Sequence, residues 1–283
     1  MRQSGIHAAL AVAVMMASTA AAAACGPKSR CAVEGGYYHI RMPANATAET
    51  PVGAIVYFHG YRGSAAGVMA NKSLARAAGE LSVALVAPHG DGKTWSFPGS
   101  PSQRRDEMAF VDEVLDDAIA RFPVDPDRLM ATGFSIGGTM NWYLACYRGF
   151  RFAGFAPIAG AFWRPHPESC PSPDPFLTHV HGMADKVVPM AGRAIRDRWH
   201  QGDVREGIAY WRGRHGPLRP RTEIQIEGRL SCERTPTAKG GAIELCLHDG
   251  GHSMRTEWVV RGWKRLTAFR GWRLPDRAAH PGD

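Results

Sequence analysis

The sequence predicts an α/β fold in which a mostly parallel central sheet is covered by helices on both faces, and three observations point there. Short apolar runs alternate with helix-length stretches from residue 36 onward, with no low-complexity segment dividing them. Several runs, 53–58 (GAIVYF) above all, are apolar without alternation, as strands buried on both faces are. Residues 106–122 (DEMAFVDEVLDDAIARF) set Met108, Phe110, Val111, Val114, Leu115 and Ile119 on one side of a helix and acidic residues on the other. Strands that alternate with helices run parallel, and their crossovers lie on the faces of the sheet.

In chain order, residues 1–24 carry Arg2 and His7, a short Ala/Val/Met run and then small residues, the pattern of a signal peptide rather than of a membrane span. Residues 25–283 are then expected as one catalytic-size domain, exported to the periplasm or the medium. Strands are expected at 37–42, 53–58 and 83–86, with a helix over 65–81 between the last two. After the 106–122 helix, Asp125-Pro126-Asp127 reads as a turn into a strand at 129–132, followed by a helix over 139–147. Strands follow at 152–158 and 176–181, and helices at 191–199 and 204–212. Residues 222–248 read as a β-rich excursion ending in a strand at 242–247, and 256–269 as a terminal helix.

Six cysteines remain after residue 24, and an even number in an exported chain is most simply three disulfides. Close spacing favours Cys25 with Cys31 and Cys232 with Cys246, leaving Cys146 with Cys170, although six cysteines allow 15 pairings. A lipid on Cys25 is the competing reading, and it would leave Cys31 odd. The net charge of +8 comes from scattered basic residues, denser only at 212–221 and 261–273, where Trp and Leu intervene as on amphipathic helices. No nucleic-acid motif or basic stripe is present, so no nucleic-acid partner is expected.

The chemistry centres on Gly133-Phe134-Ser135-Ile136-Gly137, a G-x-S-x-G between the expected strand at 129–132 and the helix at 139–147. A serine at a sharp strand-to-helix turn is held out toward substrate, and glycines two residues to either side remove the side chains that would clash there. Its hydroxyl also lies over a helix N-terminus, whose free N–H groups favour developing negative charge. Asp185 follows the strand at 176–181, and His252 follows the strand at 242–247, after Gly250 and Gly251. Serine, acid and histidine in that order, each after a strand, is what an α/β-hydrolase sheet produces. Ser135 is the expected nucleophile, His252 its base, and Asp185 the residue that orients the imidazole. His248 is the nearest rival to His252 but lacks the preceding glycines.

His59-Gly60-Tyr61 follows the strand at 53–58, so the backbone N–H groups of Tyr61 and Ile136 are the expected oxyanion hole, with His59 ordering its loop. His179 and His181 share one side of a strand, but no third ligand is spaced for a metal, and neither metal nor cofactor is expected. Trp95, Trp163 and Trp199 are expected substrate-binding walls, with ordinary packing the rival reading for each.

With these residues assembled, the chain resembles the secreted polyhydroxybutyrate depolymerase and feruloyl esterase group of α/β-hydrolases, the carbohydrate esterase family 1 type. The resemblance runs from about Gly36 to Trp263 and rests on YFHGYRGSA at 57–65, APHGDGKTW at 87–95, GFSIGG at 133–138, HGMADKVVP at 181–189 and GGH at 250–252. It implies an esterase whose nucleophile, acid and base fall on Ser135, Asp185 and His252, with oxyanion donors at Tyr61 and Ile136. Depolymerases of that group that attack solid polyester add a linker and a binding domain, and no such segment is seen, so soluble oligoesters or small aryl and acyl esters are the expected partners. A peptidase on the same trio and a non-catalytic binding protein on the same scaffold are the alternatives. Turnover of esters against peptides separates the first, and labelling by a fluorophosphonate the second.

Overall fold

The computed structural model describes residues 25–213, 223–237 and 240–273, so the expected signal peptide and most of the basic stretch at 212–221 lie outside the described residues. Cys31–Val33 (β1) and Gly36–Arg41 (β2) form an opening hairpin, and Val52–Phe58 (β3) is buried along its whole length. Its residues divide by twos between the faces of the sheet: Ala54, Val56 and Phe58 join one core cluster, Ile55 and Tyr57 the other. Ala65–Ala70 (α1) and Lys72–Glu80 (α2) replace the single helix expected over 65–81. Asn71 lies between them in extended conformation, ending α1 while its side chain accepts the N–H of Leu74 to cap α2. Ala84–Pro88 (β4) follows.

Glu107–Arg121 (α3) begins at Asp106, whose carboxylate accepts the N–H groups of Met108 and Ala109. Val124–Phe134 (β5) leads into Ile136–Tyr147 (α4). Asp125 to Asp127, read from sequence as a turn, lie inside β5, where the pairing with β3 shifts register between Val52 and Ala54; the extra residues bulge out without ending the strand. Gly154–Ile158 (β6), Trp163–Arg164 (β7) and Phe176–Gly182 (β8) come next.

The helix expected at 191–199 does not form. Arg193–Ile195 (β9) and Trp199–Gln201 (β10) pair antiparallel there, and β10 also pairs with β7, making a separate three-stranded sheet. Positive φ at Gly192 (69°) and Arg196 (50°) turns the chain where a helix would run on. Val204–Gly213 (α5), Glu223–Glu227 (β11), Leu230–Pro236 (β12), Ala242–His248 (β13) and Thr256–Arg270 (α6) complete the chain as expected.

The large sheet has the order β1-β2-β4-β3-β5-β6-β8-β13-β12-β11. Strands β4 to β13 are joined by parallel pairings, with antiparallel pairs at both edges. Apolar residues of α3, α4 and α5 pack on one face and those of α1, α2 and α6 on the other. This is an α/β-hydrolase sheet, and β3, β5, β8 and β13 deliver their following loops to the same edge. Three disulfides, Cys25–Cys31, Cys146–Cys170 and Cys232–Cys246, match the spacing argument. No helix among the described residues is long and apolar enough to cross a membrane.

One charged cluster ties α6 to the sheet. Buried Glu244 of β13 accepts hydrogen bonds from Arg261 (2.7 Å), Arg265 (2.6 Å) and Thr178. Burial alone would raise its pKa, but the two guanidiniums and the hydroxyl outweigh burial and hold it at about 2, below its ordinary 4.5. A group depressed in the folded state stabilises fully above its unfolded pKa and ceases to do so as pH falls through the folded value. The melting temperature is therefore expected to drop between about pH 4.5 and pH 2, with that part of the decline missing in Glu244→Gln. An identical acid limb in both proteins, measured by circular dichroism, would contradict the assignment.

Candidate active site

Ser135 sits at the end of β5 with φ 60° and ψ −123°, a backbone conformation that L residues adopt only when neighbours impose it. Those neighbours are visible. Its N–H donates to Ile158 O of β6 (3.0 Å), and its carbonyl accepts the N–H of Thr139 (2.9 Å). A Cβ on Gly137 would lie 2.0 Å from Phe58 O, and one on Gly138 2.4 Å from Ile158 O, so α4 starts in direct backbone contact with both flanking strands. Asn141, buried in α4, donates from Nδ2 to Gly137 O at 2.7 Å and steadies that first turn.

The expected acid lies in the loop after β8. Asp185 is 4% exposed, and its Oδ1 accepts the N–H groups of Val187 (2.8 Å) and Val188 (2.9 Å). Oδ2 is thereby left facing His252, whose Nδ1 lies 2.6 Å away. A carboxylate only accepts, so Nδ1 carries the proton and Nε2 presents its lone pair. Nε2 is 2.9 Å from Ser135 Oγ and accepts its hydrogen. The base loop is fastened to the acid loop by Met183 N–H to His248 O (2.8 Å) and Ala184 N–H to Gly250 O (3.1 Å). They cross so closely that a Cβ on Gly182 would stand 2.3 Å from Gly250 O. Phe134 packs against the imidazole, with ring centroids 4.5 Å apart.

The His59-Gly60-Tyr61 loop lies beside the serine: a Cβ on Gly60 would be 3.7 Å from Ser135 Cβ. Gly63 N–H to Gly60 O (2.9 Å) and Arg62 N–H to Lys93 O (2.8 Å) close its turn, and neither uses the Tyr61 amide. Ile136 is the first residue of α4, so its N–H has no partner within the helix. His59 orders the loop, as expected. Its Nε2 accepts the Gly90 N–H (3.0 Å), which requires a neutral ring, and its Nδ1–H donates to Gly60 O (2.9 Å). Burial pushes its pKa down, which keeps that form. Next to it His89, half-buried and near His59, Arg30, Arg105 and His39, is pushed down to about 4.

The tryptophan expectations need correction. Trp95 is 0% exposed and offers no surface to a substrate; its indole N–H donates to His59 O at 2.8 Å and braces the His59-Gly60-Tyr61 loop from behind. Trp163 is 5% exposed, with Phe97 against its ring at 5.8 Å, and its backbone N–H donates to the Tyr143 hydroxyl. Both follow the packing alternative, because a large ring beside a buried strand gains more from the core than from solvent. Trp199, on β10, is partly exposed, and Arg198 lies over its ring. The exposed apolar side chains near the chemistry are others: Tyr61 at 63%, and Met183 and Val187 on either side of Asp185. A cavity of about 540 Å³ lies along the base loop, lined by Leu230, His248, Asp249, Ser253, Arg255 and Trp258 among others, but none of Ser135, Asp185 and His252 lines it. The candidate site is therefore defined by the hydrogen-bonded trio and not by that cavity.

The sheet, its strand order and the serine at its strand-to-helix turn define an α/β-hydrolase fold. Solved structures agree at the level of fold. An acetyl xylan esterase from Aspergillus awamori gives a TM-score of 0.57 over 85% of this chain and 96% of its own, at 12% identity. A fluorophosphonate-binding serine hydrolase of Staphylococcus aureus gives 0.52 over 83% and 93%, at 15% identity.

By sequence the relatives are esterases, as the motifs implied. Feruloyl esterase D of Neurospora crassa is 28% identical over 176 residues, 57% of this chain and 58% of that protein. Feruloyl esterase C of Emericella nidulans is 27% identical over 169 residues, 56% and 58%. NocK of Nocardia uniformis, a protein classed with esterases, is 35% identical over 139 residues, 47% and 40%. The chain thus spans about two fifths to three fifths of the length of these relatives. No family model matches it.

Proposed function

We propose that the chain is an exported serine esterase that hydrolyses carboxylic esters through an acyl-enzyme on Ser135. The observation that carries the reading is the unbroken hydrogen-bonded chain from Ser135 Oγ through His252 to buried Asp185. Ser135 Oγ attacks the ester carbonyl carbon as His252 Nε2 takes its proton, and the carbonyl oxygen becomes an oxyanion facing the N–H groups of Ile136 and Tyr61. Collapse expels the alcohol, which leaves with the proton from His252. Water then attacks the acyl-serine with His252 again as base, and the carboxylic acid departs. Asp185 keeps the imidazole in its Nδ1–H tautomer and offsets the imidazolium that forms twice per turnover.

The acyl side is read as apolar or aromatic, in line with feruloyl esterases among the relatives and with Tyr61, Met183 and Val187 exposed on the loops that carry the site. Trp199 remains the tryptophan with exposed surface for a substrate wall. Feruloyl, acetyl and hydroxybutyrate oligoesters are the classes to compare. Export is read from residues 1–24 and is consistent with three disulfides, which need an oxidising compartment; residues 25–283 are read as a single catalytic domain.

The test is turnover of p-nitrophenyl acetate, methyl ferulate, hydroxybutyrate oligomers and acetylated sugars by the purified protein. Hydrolysis of at least one, with covalent capture by a fluorophosphonate, is expected. No hydrolysis of any together with no capture would leave a non-catalytic scaffold.

A further inference from the structure

Behind Asp185 stands a pair of imidazoles that the triad chemistry does not use. His179 and His181 are both 0% exposed on β8, an unusual place for two titratable rings. His181 Nε2 lies 2.7 Å from Val188 O, and a carbonyl only accepts, so Nε2 carries the proton. His181 Nδ1 is then a lone pair, and His179 Nε2, 2.9 Å away, donates into it. That leaves His179 Nδ1 as a lone pair with no partner among the described residues, against the usual rule that buried polar atoms are satisfied. An uncompensated buried nitrogen is a cost, and the pair retains it.

We propose that His181, with its lone pair at Nδ1 engaged by His179, is a positioning residue for the acid: it ties Val188 back to β8 so that the Asp185 carboxylate is fixed against His252. This rests on the esterase reading above. Val188 is held on both sides. Its N–H donates to Asp185 Oδ1 at 2.9 Å while its carbonyl accepts from His181, so the turn that aims Oδ2 at His252 cannot rotate without breaking one bond or the other. The ring must be neutral to do this quietly, since a charged one would stand 3.6 Å from Asp185 Oδ2 and compete with the imidazolium of His252. Burial, with His252 and His248 nearby, pushes its pKa down despite Asp185 and the Val188 carbonyl; burial and His181 push His179 lower still.

The experiment compares His181→Leu, which loses the donor, with His181→Gln, which keeps an N–H, each checked for folding by thermal melt. His181→Leu is expected to lower kcat about a hundredfold with KM unchanged, the scale of an ångström's misplacement of a catalytic group. Its kcat pH profile is expected to shift, and His181→Gln to recover most of the loss. His179→Leu, which leaves the Val188 tether but removes the donor to His181 Nδ1, is expected to fall between. A second readout does not depend on turnover: the low-field proton NMR resonance of His252 Nδ1–H is expected to move in His181→Leu and to stay near its wild-type position in His181→Gln. If that resonance is unmoved in a folded His181→Leu, the positioning role is overturned even should the wild-type protein hydrolyse nothing. Loss of activity equal in the Leu and Gln variants, with the melting temperature lowered and the pH profile and the resonance unmoved, overturns it in favour of packing.

Discussion

Replacing Ser135 by alanine is expected to lower kcat for a p-nitrophenyl short-chain ester by about a millionfold, with KM little changed. The loss is confined to chemistry because the substitution removes one oxygen and leaves the backbone constraints in place. The positive φ at residue 135 is imposed by Ile158 O, by Thr139 and by the glycine contacts beneath α4, none of which uses the hydroxyl. What remains is water attack assisted by the two amides, which in such sites retains about a thousandfold to ten-thousandfold over the uncatalysed rate. A folded Ser135→Ala protein with activity within a few fold of wild type would move the chemistry elsewhere.

Asp185→Asn is expected to cost about ten-thousandfold in kcat, more than loss of one hydrogen bond would suggest. The reason is the tautomer. The amide oxygen still satisfies the N–H groups of Val187 and Val188, which accounts for one end of the side chain. The other end now offers N–H where His252 Nδ1 needs an acceptor. The imidazole is driven to the tautomer with its proton on Nε2, and the atom 2.9 Å from Ser135 Oγ can no longer take a proton. The melting temperature is expected to stay close to wild type. Collapse of both activity and fold would instead give Asp185 a structural role only.

Much of this was legible before any coordinates, for physical reasons that differ by element. The buried strands, the amphipathic helix at 107–121 and the strand-to-helix turn at Ser135 announce themselves because period and glycine spacing are local properties. The meeting of Ser135, Asp185 and His252 was legible because each follows a strand, and parallel strands deliver their ends to one edge. The failures are those of non-local contacts. Residues 191–199 have helix-compatible composition, yet positive φ at Gly192 and Arg196 and pairing of Arg193–Ile195 with Trp199–Gln201, which in turn pairs with Trp163 and Arg164, make strands there. Trp95 looked like a cleft wall because it stands in a loop rich in Gly and Pro, whereas a carbonyl 36 residues away holds its indole inside. His181 was visible as a residue of HGMADKVVP but not as a tether, since only the fold brings its ring to Val188 O. Phe134, inside the G-x-S-x-G itself, gave no signal that it would pack against the base.

The most direct measurement is acid quenching of the protein within its first turnovers of p-nitrophenyl acetate, followed by mass spectrometry of the tryptic peptide 129–148. A single acetyl group on that peptide, located to Ser135 and absent from Ser135→Ala, is the predicted result. Steady release of p-nitrophenol with that peptide unmodified, or with the acetyl group on another residue, would contradict the account.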